Sequence, residues 1–200
     1  ATGTAILNDN DLPPDVAIGN AAAITEGGTS SFTVSLYQPG TSTLHTSGKT
    51  VTVNFSVANG TAMPGSDYTI PSTLSVTINP GASTGVITVA TTDDIIDESD
   101  ETFTVTLTTA TNATVVSANA TGTATLNDND SPPDLAIANA TAVTEGGTAS
   151  FTVSLYRLGT STLHTSEKTV TVNFSVANGT ATSGSDYTIP GTLSITINAG

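Results

Sequence analysis

The stretch GTAILNDNDLPPD that begins at Gly3 returns as GTATLNDNDSPPD from Gly122, an offset of 119 residues. From there the register never slips, for residues 1–81 align with 120–200 without a gap and 66 of the 81 positions are identical. A chain of near-copies must fold each copy by the same rules, so the fold has to be a self-contained unit that can be strung in series. So close a match marks a young duplication, and the presence of a residue in both copies therefore says little about its importance.

The repeat sets the expected boundaries. One complete unit runs from about Leu12 to Asp130, residues 1–11 correspond to the last strand of a preceding unit, and residues 131–200 to the N-terminal part of the next, which stops where the first copy continues GASTGVITVATTDDIIDESDETF. The chain thus reads as a segment of a tandem array. A unit of 119 residues is long enough to bury one core without disulfides, and there is no Cys in the sequence. Between units, Asn127-Asp-Asn-Asp-Ser-Pro-Pro-Asp134 leads from a final strand into a Pro-Pro step, which predicts a short, stiff linker.

Inside the unit, apolar residues alternate with Ser, Thr and Asn: Phe32, Val34, Leu36; Val51, Val53, Phe55, Val57; Leu74, Val76, Ile78; Ile87, Val89; Phe103, Val105, Leu107. Period two with polar partners marks strands with one face on a core and one in water. The 42 threonines reinforce this, because a β-branched side chain is stiff at χ1 and packs well on a pleated surface. Seven or so short strands separated by Gly, Pro, Asn and Asp predict an all-β unit, a two-sheet antiparallel β-sandwich of immunoglobulin-like type. Helix bundles and coiled coils are excluded.

Charge narrows the function. Seventeen Asp and Glu face three Lys and Arg, a net charge of -14, which repels nucleic acid and anionic lipid and favours cations as partners. No apolar run approaches the roughly 20 residues that would span a membrane, which argues against direct membrane insertion. The acids are also concentrated. The complete unit holds Asp15, Glu26, Asp67, Asp93, Asp94, Asp97, Glu98, Asp100, Glu101, Asp128 and Asp130 against Lys49 alone, and six of these lie within the nine residues from Asp93 to Glu101. Six like charges in one strand-to-strand loop repel one another, and no basic residue stands near in sequence. A solvated acidic loop is the plain alternative. Against it, Glu26 precedes Gly27-Gly28 at a turn, Asp67 follows Gly65-Ser66, and Asp128 and Asp130 end the last strand, so all these loops can converge at one pole of a sandwich. Ca²⁺ suits such a pole, since it accepts about 6–8 oxygen ligands in flexible geometry, whereas Mg²⁺ demands stricter octahedral geometry. There is no EF-hand spacing.

Four ordered motifs resemble the Calx-beta domain: Glu26-Gly-Gly with Phe32-Thr-Val-Ser-Leu; Gly60-Thr-Ala followed by Gly65-Ser-Asp-Tyr68; Asp93-Asp94, Glu98 and Glu101-Thr-Phe103; and Ala124-Thr-Leu-Asn-Asp-Asn-Asp130. The resemblance spans the whole unit and all that is present of the second copy. It implies an immunoglobulin-like sandwich whose loops at one end bind several calcium ions per complete repeat, with ligand roles for Glu26, Asp67, Asp93, Asp94, Glu98, Glu101, Asp128 and Asp130. It also implies kinship with modules of sodium-calcium exchangers, an integrin subunit and long bacterial surface proteins. Asn127 and Asn129 depart from the family's commoner run of aspartates, and a neutral amide oxygen there weakens a site. In the second copy only Glu145 and Asp186 are present, while Asp9 and Asp11 are the remnant of a preceding site.

Catalysis finds little support. Asp93 and Glu98 could form an acid-base pair on a glycosidic bond, yet there is no Trp to make a sugar platform, and adjacent acids suit a cation better than a tuned pair. His45 and His164 lie in polar loops, and Asn59-Gly60 and Asn178-Gly179 are expected in tight turns, with Asn-Gly-Thr also a glycosylation sequon. The expectation is a non-enzymatic, extracellular or cell-surface protein: a calcium-stiffened, polymeric filament, stalk or surface array made with neighbouring copies of the same repeat. An adhesin-type binding module is the alternative, and a cytosolic calcium sensor a more distant one.

Overall fold

The computed structural model describes residues 2–6, 8 and 10–200, and Asp9 lies outside this set. The chain divides into two compact units, one of residues 1–93 with 100–127 and one of residues 94–99 with 128–200.

The first unit is an immunoglobulin-like β-sandwich. Its strands are β1 (Asp15–Ile18), β2 (Ile24–Thr25), β3 (Thr29–Tyr37), β4 (Val51–Asn59), β5 (Ser75–Ile78), β6 (Thr84–Ala90), β7 (Glu101–Thr111), β8 (Thr114–Val115) and β9 (Thr121–Asn127), with a single 3-10 turn at Ser117–Asn119. One sheet has the order β6-β3-β1-β8 and the other β2-β9-β7-β4-β5. Burial follows the alternation read from sequence: Phe32, Val34 and Leu36 of β3, Val51, Val53 and Phe55 of β4, and Phe103, Val105 and Leu107 of β7 are buried, while their polar neighbours face outward. Phe103 is the hinge pin of this core. It meets Phe32 edge-on at 6.0 Å and stacks on Tyr68 at 4.5 Å, so side chains from both sheets and from a loop close on one ring. Leu74 departs from the pattern: it precedes β5, its carbonyl accepts from the Phe55 N–H at 3.0 Å, and its side chain is left exposed.

Two pairings differ from the antiparallel expectation, for β1 runs parallel to β8 and β2 parallel to β9. The cause is a sheet switch. After β1 pairs with β3 in one sheet, the chain crosses at Gly19–Ala21 and continues as β2 in the other, where Ile24 stands opposite Leu126 and Thr25 opposite Asn127. The crossing is held by Gly19 N–H to Thr33 C=O (3.0 Å), Ala21 N–H to Thr123 C=O (3.0 Å) and the Asn20 side-chain oxygen, which accepts from Thr123 N–H at 3.0 Å. It lies so close to β9 that a Cβ on Gly122 would sit 2.5 Å from the Gly19 carbonyl oxygen, which is why this strand position is glycine.

The second unit contains β10 (Asp134–Ile137) paired with β11 (Val153–Tyr156), and β12 (Val170–Asn173) paired with β13 (Ser194–Ile197). Phe151, equivalent to the fully buried Phe32, is 60% exposed. No helix among the described residues is long and apolar enough to cross a membrane.

Candidate metal centre

The expected ligands of the first unit, Glu26, Asp67, Asp93 and Glu101, stand on three loops and one strand end. The Gly65-Ser-Asp-Tyr68 turn is closed by its own aspartate: Asp67 Oδ2 accepts from the Met63 N–H, and the Asp67 N–H donates to the Met63 carbonyl at 3.1 Å. Tyr68 then enters the core and donates through its hydroxyl to Asn59 Oδ1 at 2.8 Å. Asn59-Gly60 thus ends β4 and receives Tyr68 instead of forming a two-residue hairpin turn. Burial first, and the neighbouring Asp67 charge second, raise the Tyr68 pKa, since both disfavour a phenolate. The unfolded chain ionises more readily, so Tyr68 adds stability below an ordinary tyrosine pKa of about 10, and loses it as pH climbs beyond.

The turn is tied to the acidic loop by the Thr92 N–H, which donates to the Asp67 carbonyl at 2.9 Å, while the Thr92 carbonyl accepts from Gly27 N–H at 3.0 Å. Gly27 has a φ of +75°, and a Cβ there would lie 2.8 Å from Asp93 Cβ. Only glycine lets the Glu26 turn and Asp93 approach this closely. Glu26 itself follows β2, with its N–H donating to Asn127 C=O at 3.2 Å. Glu101 opens β7, and a carboxylate oxygen of Glu101 lies within 4.8 Å of one of Asp67.

The second unit holds the remaining acids. Asp94 Oδ1 accepts from Ile96 N–H at 2.7 Å, turning the loop back on itself. Asp128 Oδ1 accepts from Asp130 N–H and Oδ2 from Glu98 N–H, both at 3.1 Å. Carboxylate oxygens of Asp128 and Asp130 lie within 4.8 Å of each other. Two carboxylates so close form a strongly negative, oxygen-only donor set, which fits a hard divalent cation and no thiophilic metal.

Asp97, buried and not among the expected ligands, is the acid that sequence reasoning passed over. It pairs with Lys168 Nζ at 2.7 Å, and the same ammonium lies 3.4 Å from Asp128 Oδ2. The hydrogen bond to Asp97 leads in raising the Lys168 pKa, with Asp128 adding to it, and the two outweigh the opposing effect of partial desolvation. Net charge and loop composition pointed to a missing cation there, but a partner 71 residues away gives no sequence signal. Asp15 has a local duty, accepting from Gly40 N–H at 2.7 Å, as Asp134 does from Gly159 at the same distance. In the second copy Asp186 repeats the Asp67 turn, accepting from Thr182 N–H at 2.7 Å, and Glu145 is exposed. His45 is exposed, and its backbone N–H completes the strand-end pairing with Leu36 C=O at 2.9 Å.

Among solved structures, the chain is similar to the CBD12 structure from CALX1.2 (18% identity over 63% of this chain and 48% of that one, TM-score 0.50). It is also similar to the apo form of the Calx CBD1 domain (18%, 58% and 98%, 0.49) and to the Calx CBD2 domain (14%, 60% and 90%, 0.47). At such identity the likeness is one of fold, and the chain spans about half of the CBD12 structure. No curated protein sequence matches. The Calx-beta domain family model matches residues 41–132 and again residues 128–195, most of the chain. With its motifs, its sandwich and these two matches, the chain belongs to the Calx-beta domain family of non-catalytic modules.

Proposed function

We propose that this chain is a run of calcium-binding repeats in a structural protein, a stiff extracellular filament, stalk or large cell-surface array. The observation that carries the reading is the pairing of carboxylates from segments far apart in sequence, Asp67 with Glu101 in the first unit, together with the Asp128–Asp130 pair in the second. Folding holds like charges together at a cost that a bound divalent cation would offset. One ion is assigned to Asp67 and Glu101 and another to Asp128 and Asp130; Glu26, Asp93, Asp94 and Glu98 are the further ligands we propose for several Ca²⁺ per repeat.

Bound Ca²⁺ supplies a multiply charged crosslink; the chain's own part is to fix the carboxylates on turns and strand ends. Calorimetric titration tests this directly. Ca²⁺ should bind the 200-residue chain at two or more sites, with Mg²⁺ far weaker, and Asp67→Asn and Asp128→Asn should each remove one site. Absence of Ca²⁺ binding at millimolar concentration would sink the reading.

The filament role follows from the linker. Asp128 and Asp130 stand just before Pro132-Pro133, so ions there would fix the direction in which the chain leaves a repeat. Small-angle scattering of a protein carrying three tandem units should show a shorter maximum dimension after chelation. Equal dimensions in both states would favour the adhesin alternative, for which the outward Thr rows of the five-stranded sheet, such as Thr106 and Thr121 bonded at 2.9 Å, offer a neutral hydroxyl surface.

A further inference from the structure

We infer that Lys168 is a tethered cation that competes with the divalent ion for Asp128 and so sets the affinity of that one ion site; the inference rests on the calcium reading above. Lys168 does not drift over the acids on a free stem. Its loop is fastened by groups that carry no charge: the buried Ser166 hydroxyl donates to the Asp97 carbonyl at 3.3 Å, Glu167 N–H donates to the same carbonyl at 3.3 Å, and Lys168 N–H donates back to Ser166 Oγ at 3.1 Å. The last of these bonds is built into the local sequence, since Lys49 N–H meets Ser47 Oγ at 3.0 Å in the first copy. The loop therefore delivers the ammonium to a fixed place, 2.7 Å from Asp97 and 3.4 Å from Asp128.

The Asp128 carboxylate is the shared resource. One oxygen accepts from Asp130 N–H, and the other from both Glu98 N–H and Lys168. A divalent ion entering at Asp128 must sit beside a positive charge that the backbone holds in position, and with the Asp97 and Asp128 side chains only 7% and 10% exposed the repulsion is weakly screened. Lys168 pairs with Asp97 and Asp128, all in the second unit, so the ion assigned to Asp67 and Glu101 in the first serves as an internal reference.

Calcium titration of the whole chain by calorimetry tests this with Lys168→Met, with Lys168→Gln, which keeps a donor for Asp97 without the charge, with Lys168→Arg, and with Arg157→Met as a control that removes the same charge from an exposed loop. Lys168→Met and Lys168→Gln should tighten one site about fivefold, the worth of one partly exposed ion pair, and leave the other unchanged. Lys168→Arg and Arg157→Met should behave as wild type. After chelation the order reverses, with Lys168→Met melting below wild type because the buried Asp97 has lost its cationic partner and keeps only the Ser166 hydroxyl, at 3.5 Å. Unchanged or weaker calcium binding in both Lys168→Met and Lys168→Gln, or equal tightening in Arg157→Met, overturns the competition while leaving the calcium reading intact. A wild-type chain that binds no Ca²⁺ overturns both.

Discussion

Millimolar Ca²⁺ should raise the melting temperature of this protein by roughly 10–20 °C over the chelated form, because an ion that binds only the folded state at about 100 times its Kd adds about 2.7 kcal/mol per site, and each kcal/mol is worth a few degrees in a domain of this size. The gain should shrink by about half in Asp128→Asn or Asp67→Asn, whose carboxylates each belong to one close pair. Asp15→Ala supplies the contrast. Its side chain holds Gly40 N–H and no other acid, so that variant should melt lower with and without calcium while keeping the full calcium gain. Differential scanning calorimetry in calcium and in chelator decides the matter. A melting temperature that ignores Ca²⁺ would remove the ligand assignments, and an Asp15→Ala variant that lost the gain would relocate them.

The second large effect uses the duplication as its own control. Phe32→Ala should cost about 3–5 kcal/mol, since the ring is fully buried against Phe103 and its loss leaves a cavity between the sheets. Phe151→Ala makes the same change at the same place in the repeat, yet the ring is 60% exposed, so its cost should stay within about 0.5 kcal/mol. Denaturant unfolding of the two variants measures both. Equal losses would mean that the second unit closes over Phe151 in solution.

That pair of phenylalanines shows what a sequence can and cannot reveal. Alternation predicts the inward face of a strand, and it did so for β3, β4, β6 and β7; whether the face is covered depends on strands that come from elsewhere in the chain. The Gly65-Ser-Asp-Tyr68 turn was legible because its bonds are local, and it forms in Gly184-Ser-Asp-Tyr187 with the same contacts. The acidic loop was legible as a charge anomaly. Its partner was not, because an ion pair such as Asp97 with Lys168 joins residues whose separation follows no period. The parallel placement of β2 beside β9 was equally hidden: nothing in a two-residue strand announces that the chain has changed sheets.

That same placement orders events in time. β2 stands near the start of the first unit and β9 at its end, and their parallel pairing lays Thr25 beside Asn127. On a chain synthesised from its N-terminus, Glu26 emerges early and waits through almost the whole unit before the strand that neighbours it exists. Contacts between opposite ends of a sequence are slow to close. On the proposed calcium reading, a repeat has its full set of ligands only once its final strand has docked, so that cation capture would mark a finished unit.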